Sequence, residues 1–166
     1  MMLRSVSLII CFLIIGFKAH SDGYESMLKL DSFETLSKKA CNENKVMVVM
    51  VGLEGCPYCA KLKKQVLIPE LKNGELNNKW LLRELLIDNE ATHIGFDGKS
   101  INSLAFAQSI KATVTPTLLF LSPNGVEIGK RIIGTGGALD FYDFYLKRSI
   151  NEALDKQICT NNLTEK

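Results

Sequence analysis

Cys56-Pro57-Tyr58-Cys59 is where this chain holds its most reactive side chains. Two thiols three positions apart on a helix lie one turn along the same face, close enough to close and reopen a disulfide without moving the backbone. The setting favours that chemistry. The apolar run Val46-Met47-Val48-Val49-Met50-Val51-Gly52 reads as a buried strand, and residues 60–68 read as a helix. Cys56 then falls at the helix N-terminus, where unpaired backbone N–H groups and the positive end of the helix dipole favour the thiolate, the nucleophilic form. Pro57 suits the first helical position, whose N–H has no intrahelical partner. Tyr58 adds an aromatic surface beside the exposed sulfur. The competing readings are a purely structural disulfide and half of a zinc site. Zinc needs a second pair of ligands, and the only histidines are His20 and His93, so no metal is expected.

The rest of the chain supplies elements to hold this site. Asp31 followed by Glu34 resembles a capping box, with Phe33, Leu36 and Ala40 on one face of a helix ending near Asn42. A strand over 45–52, the Cys-x-x-Cys helix to residue 68, and a short further helix from Pro69 follow. Asn73-Gly74 marks a turn, 80–87 a strand, and the polar stretch 88–100 a loop. A helix is expected over 101–110, a strand over 115–121, a hairpin turn at Ser122-Pro123-Asn124-Gly125, a strand over 126–133 and an amphipathic helix over 138–154. The tail from about 157 is polar. This order implies an α/β fold: a central mixed sheet flanked by helices on both faces.

At 166 residues, 46% hydrophobic and 23% charged, the chain suits one globular domain with a real core. A net charge of +2 gives no argument for nucleic acid or a membrane surface. Arg4, the apolar run 6–17 and Ala19-His20-Ser21 read as a signal peptide over 1–21, leaving a mature domain over 22–166 in the periplasm. An uncleaved membrane anchor is the competing reading. No separate dimerisation segment fits between Asp22 and the first helix, so a monomer is expected. Export would leave Cys41, Cys56, Cys59 and Cys159 in a disulfide-permissive compartment. An even cysteine count makes a Cys41–Cys159 disulfide one option and two independent thiols the other. Asn162-Leu163-Thr164 matches a glycosylation sequon by pattern only.

A second part of the site lies at Val114-Thr115-Pro116-Thr117, ahead of the apolar run Leu118-Leu119-Phe120-Leu121. Proline at the head of a strand is either an edge device or a cis-proline, and spacing leaves both open. As a cis-proline, Pro116 would turn the backbone of Thr115 toward Cys56 to hold an extended substrate segment by strand addition.

Together, the Cys-Pro-Tyr-Cys helix after an apolar strand, Thr115-Pro116-Thr117 before another, and the Pro123-Asn124-Gly125 hairpin followed by Gly134 resemble the thioredoxin superfamily over roughly residues 31–150. Within it, the Phe96-Asp97-Gly98-Lys99 loop is similar to that of exported bacterial thioredoxin-related proteins, including the SoxW type. The resemblance implies a thioredoxin fold, a cis Pro116, Cys56 as attacking thiolate and Cys59 as buried resolving thiol. It also implies thiol–disulfide oxidoreductase activity that reduces or isomerises disulfides of client proteins, with no cofactor, and the exported compartment implies a membrane thiol-reducing partner to recharge the pair.

There are two departures. The buried Asp of cytoplasmic thioredoxins is Met50 here, and the aromatic residue before the first Cys is Gly55. Glu54 is the nearest carboxylate in sequence to stand in as proton acceptor, against its reading as a solvated loop residue. A dithiol oxidase is the first alternative function. A glutaredoxin-like activity is a second, since Pro57-Tyr58 and Gly136-Gly137 with Asp140 resemble that family. A Cu(I)-binding chaperone is a third, although Met47 and Met50 sit in the strand rather than beside Cys56.

Overall fold

The apolar run becomes strand β1 (Val46–Gly52), buried along its whole length. The structure, a computed structural model, describes residues 28–135 and 139–159. β1 pairs in parallel with β2 (Trp80–Leu86), Met50 opposite Glu84. On its other side it pairs antiparallel with β5 (Thr117–Leu121), Val51 opposite Thr117. β6 (Glu127–Ile133) completes a mixed sheet in the order β2-β1-β5-β6. A strand covered on both faces has no need of polar alternation. Its two-residue period divides two cores instead. Val46, Val48 and Met50 join Cys59, Leu62, Tyr142, Leu146 and Ile150. Met47, Val49 and Val51 join Phe33, Leu36, Phe106 and Ala107.

Those clusters place the helices. α1 (Phe33–Asn42) and α4 (Ser103–Ser109) cover one face of the sheet. α2 (Pro57–Leu62) and the C-terminal α5 (Tyr142–Lys156) cover the other. A π-helical turn, Lys63–Leu67, joins α2 directly to α3 (Ile68–Asn73), with Ile68 N–H donating to the Lys63 carbonyl. Pro69 explains the widened turn: within a continuing helix its ring would collide with the carbonyl four residues back, and a π turn relieves that contact.

Several boundaries differ from those expected. The cap of α1 is Ser32 rather than Asp31. Its hydroxyl accepts from Thr35 N–H at 3.1 Å, and its bridge to Ile94 keeps it extended until the helix starts. The stretch 88–100 is not all loop. It holds the short hairpin β3 (Thr92–Ile94) and β4 (Ser100–Asn102), turned by Gly95–Lys99 contacts. Three-residue strands give too few alternations to be read from sequence. Asn102 ends β4 and caps α4, accepting from Leu104 and Ala105 N–H groups, so the helix begins two residues late. A 3-10 turn, Leu139–Phe141, precedes α5. The readings on residues 1–21, Gly136-Gly137 and Asn162 lie outside the described residues, among which no helix is long and apolar enough to cross a membrane.

His93 anchors the small hairpin. It is buried, with Nε2 2.8 Å from the Ser103 hydroxyl, and its ring meets Phe33 edge-on. Burial pushes its pKa below the ordinary imidazole value, outweighing the backbone groups of Leu30 and Asp31 and the Asp31 carboxylate, which favour the charged form. The unfolded chain therefore takes up a proton at a higher pH than the folded chain. Stability should fall as pH drops below about 6.5 toward the folded pKa. Urea denaturation at pH 7.5 and 5.5 checks this: His93→Gln, which keeps a donor for Ser103 without titrating, should lose less stability on acidification than the native chain.

Cys41, near the end of α1, is disulfide-bonded to Cys159 beyond α5, across a sequence separation of 118. Gln157 reinforces the join by donating to the Lys45 carbonyl at 3.1 Å. A crosslink closing so long a loop restricts the unfolded chain strongly. The Cys41→Ser/Cys159→Ser variant should unfold with about 2–4 kcal/mol less stability in urea, while Cys56 and Cys59 keep their reactivity.

Candidate active site

β1 ends at Gly52, and four residues later Cys56 opens α2 as its N-cap, with Pro57 in the first turn. Cys56 and Cys59 are disulfide-bonded, their Cα atoms 5.3 Å apart. The two sulfurs have different surroundings. Cys59 is 2% exposed and packs in the core beneath the sheet's end. Cys56 is partly exposed, and its Sγ accepts the Cys59 backbone N–H at 3.2 Å. That bond favours negative charge on Cys56 sulfur in the reduced state. Of the two sulfurs, Cys56 is thus the accessible one and Cys59 the buried one. Tyr58 stands 63% exposed beside them.

Gly55, where an aromatic residue was noted as missing, has φ 68°. This left-handed conformation suits glycine and opposes a bulky side chain. The backbone conformation, with open space around the Cβ position, accounts for the departure.

The antiparallel pairing of Val51 with Thr117 brings the start of β5 to the end of β1 from which the Cys56 loop leaves. Thr115 and Pro116 therefore lie at the same end of the sheet as the cysteines. The Thr115–Pro116 peptide is cis. The Pro116 carbonyl accepts Gly134 N–H at 2.7 Å, and the Thr117 hydroxyl donates to the Val114 carbonyl at 2.6 Å. Pro116 is buried and Thr115 half-buried. Leu53 and Val114 are both exposed around the same end of the sheet.

Glu54 is exposed, and it is its backbone N–H that is engaged, donating to both Asp88 carboxylate oxygens at 2.9 and 3.0 Å. The buried carboxylate is a different one. Glu84 of β2 accepts from Lys63 Nζ at 2.8 Å, and both side chains are only about a tenth exposed (11% and 10%). This pair was not anticipated, although its signals are in the sequence. Lys63 falls four residues after Cys59, on the same helical face. Glu84 alternates with Trp80 and Leu82, which face the Cys59 core. Met47 and Met50 are fully buried in opposite cores. Among the described residues, no group of three or more His, Cys, Asp or Glu could hold a metal ion.

The sequence matches the thioredoxin-like domain family over residues 33–145. No curated protein matches it. Among solved structures it is similar to the periplasmic thioredoxin SoxS of Paracoccus pantotrophus in its reduced form, at 21% identity and a TM-score of 0.44, covering 66% of this chain and 99% of that one. A thioredoxin-fold protein of Helicobacter pylori is similar at 19% identity and a TM-score of 0.44, covering 68% and 81%. The oxidoreductase DsbH is similar at 15% identity and a TM-score of 0.47, covering 72% and 85%.

Proposed function

The chain belongs to the thioredoxin-like domain family, and from that premise we propose that it is an exported thiol–disulfide oxidoreductase that reduces or isomerises disulfides of client proteins. The observation that carries this reading is the asymmetry of one disulfide: Cys56 partly exposed at a helix start, Cys59 buried behind it. A purely structural crosslink has no use for such a difference in access, whereas a two-step exchange depends on it.

In the reduced protein, the Cys56 thiolate attacks a client disulfide. An S–S bond forms between Cys56 and one client sulfur, and the other client sulfur leaves with the electron pair and takes up a proton. Cys59 then attacks Cys56, closing the internal disulfide and releasing the second client thiol. The client gains two electrons and the protein loses two. Thr115 and Pro116, at the same end of the sheet, hold the client backbone in extended form, and Leu53, Tyr58 and Val114 offer apolar surface for its side chains. A membrane thiol-reducing partner recharges the pair.

Export rests on the signal-peptide pattern of residues 1–21 and is supported by the second disulfide, Cys41–Cys159, which suits an oxidising compartment. Reduction of insulin by dithiothreitol tests the activity. The native chain should accelerate it, and a Cys56→Ser/Cys59→Ser variant of equal stability should not. Equal rates for both proteins would remove the proposal.

A further inference from the structure

We infer that the groove between β6 and α5 is a second binding site, separate from the cysteines, for a small aromatic carboxylate whose rings lie against Phe141 and Tyr145 and whose charge meets Lys130 and Arg148. This goes beyond the exchange reaction and does not depend on it.

The groove follows from the pattern of α5. One stripe of this helix, Tyr142, Leu146, Ser149, Ile150 and Ala153, is buried. The adjoining stripe is Phe141, Phe144, Tyr145 and Arg148, at the i, i+3, i+4, i+7 spacing of a single helical face. A second face of this kind is ordinarily polar, yet here Phe141, Phe144 and Tyr145 are each more than half exposed. The edge strand β6 adds Ile133, exposed to the same degree. Between strand and helix lies a cavity of about 400 Å³, a size typical of small-ligand pockets.

The cavity has a direction. The Ser149 hydroxyl donates to the Lys130 carbonyl at 2.8 Å. From that join β6 runs on to Ile133, while α5 is traced back to Phe141, and both residues border the cavity. Lys130 and Arg148 therefore mark one end and Ile133 and Phe141 the other, about 10 Å apart along the helix. Tyr145 stands between them, its ring set by an edge-on contact with Phe144 at 5.5 Å between centroids. Tyr142 also borders the space, and its buried hydroxyl has no hydrogen-bond partner among the described residues. An unmet donor of this kind is rare in a folded chain.

The charge is one-sided. Lys130, Arg131 and Arg148 border the cavity and no Asp or Glu does, although the whole chain carries 20 basic and 18 acidic residues. Arg131 is engaged by Glu127 and by the carbonyls of Ile110 and Lys111. Lys130 and Arg148 have no ion-pair partner among the described residues. Glu152, the carboxylate that Arg148 acts on, is held by Lys156 Nζ at 2.6 Å and by the Lys130 backbone N–H at 3.3 Å. A carboxylate is the complementary group for this end, since a guanidinium offers it two parallel N–H donors. The other end selects the body: flat rings cover aromatic walls that a compact inorganic anion would leave wet. None of Cys56, Tyr58, Cys59, Thr115 or Pro116 borders the cavity, so an occupant leaves the thiols free.

The test is a titration of the isotope-labelled full chain with 2-naphthoate at neutral pH, followed by its amide chemical shifts. Binding should saturate with a dissociation constant below about 1 mM, and the shifts should gather on β6 and α5. The neutral analogue 2-naphthamide should bind about tenfold or more weakly. Lys130→Gln/Arg148→Gln should lose the same factor for 2-naphthoate and stay within about twofold for the amide, whereas Tyr145→Ser should weaken both. These side chains are exposed, so each variant should keep the native denaturation midpoint in urea. Absence of saturation, shifts centred on the cysteine helix, equal affinity for the two probes, or affinity that survives Lys130→Gln/Arg148→Gln would each overturn the inference. Should those variants slow reduction of a client protein while 2-naphthoate binding is unchanged, the groove receives client segments instead, and the inference falls while the exchange reading stands.

Discussion

Cys56→Ser should reduce insulin no faster than dithiothreitol does alone, a loss of about a thousandfold or more in the protein's contribution. The size of the effect follows from what the hydroxyl lacks. At neutral pH a serine holds its proton, and no base in the described site is placed to remove it. Oxygen also forms no stable bond analogous to the mixed disulfide. The Cys59 N–H that now points at Cys56 Sγ can hold a serine hydroxyl equally well, so the cap of α2 and the fold survive. The effect therefore falls on chemistry and not on structure, and a denaturation midpoint near that of the reduced native protein accompanies it. Retention of activity in Cys56→Ser would place the nucleophile elsewhere.

The second large effect is accumulation in place of loss. Cys59→Ser retains the exposed nucleophile but removes the thiol that displaces the client. Incubated with a disulfide-containing protein, it should become covalently attached through Cys56 to nearly one equivalent of client. The adduct should run at the summed mass on a non-reducing gel and vanish on reduction. Native protein under the same conditions should show only a trace. Cys59 lies within bonding reach of Cys56 yet is 2% exposed, so in the native protein it resolves the Cys56 mixed disulfide from inside without itself meeting a client. Its loss leaves the adduct no internal route of release, which gives the adduct its persistence. A reactive Cys56 with no adduct would contradict the two-step scheme.

Much of this arrangement was legible in the sequence, for reasons that particular residues show. β1 could be read because seven apolar or small residues in a row have few other uses in a chain of this composition, and the cysteine helix because Pro57 and the spacing of the thiols fix its first turn. The order of elements then gave the mixed sheet and its two covered faces. Where the reading fell short, the deciding interactions join residues far apart in sequence. Ser32 caps α1 because Ile94 holds it extended. The β3–β4 hairpin exists because His93 is buried against Ser103 and Phe33, which no local periodicity announces. The buried carboxylate is the most instructive case. Sequence proximity points to Glu54, two residues from Cys56, whereas the sheet register points to Glu84, 25 residues after Cys59 and opposite Met50. Only pairing with β1 and the reach of Lys63 from the π turn make Glu84 part of this site.

If Cys56 and Cys59 cycle between dithiol and disulfide in order to reduce clients, the equilibrium reduction potential of the pair must be that of a reductant. The full chain is equilibrated in glutathione buffers of graded potential, quenched with an alkylating reagent, and the Cys56–Cys59 peptide quantified by mass. The midpoint should fall at about −200 to −270 mV, the range of thioredoxin-type reductants. A midpoint near about −120 mV would contradict the direction of transfer and make the protein an oxidant, and one below about −300 mV would mark the pair as a structural crosslink.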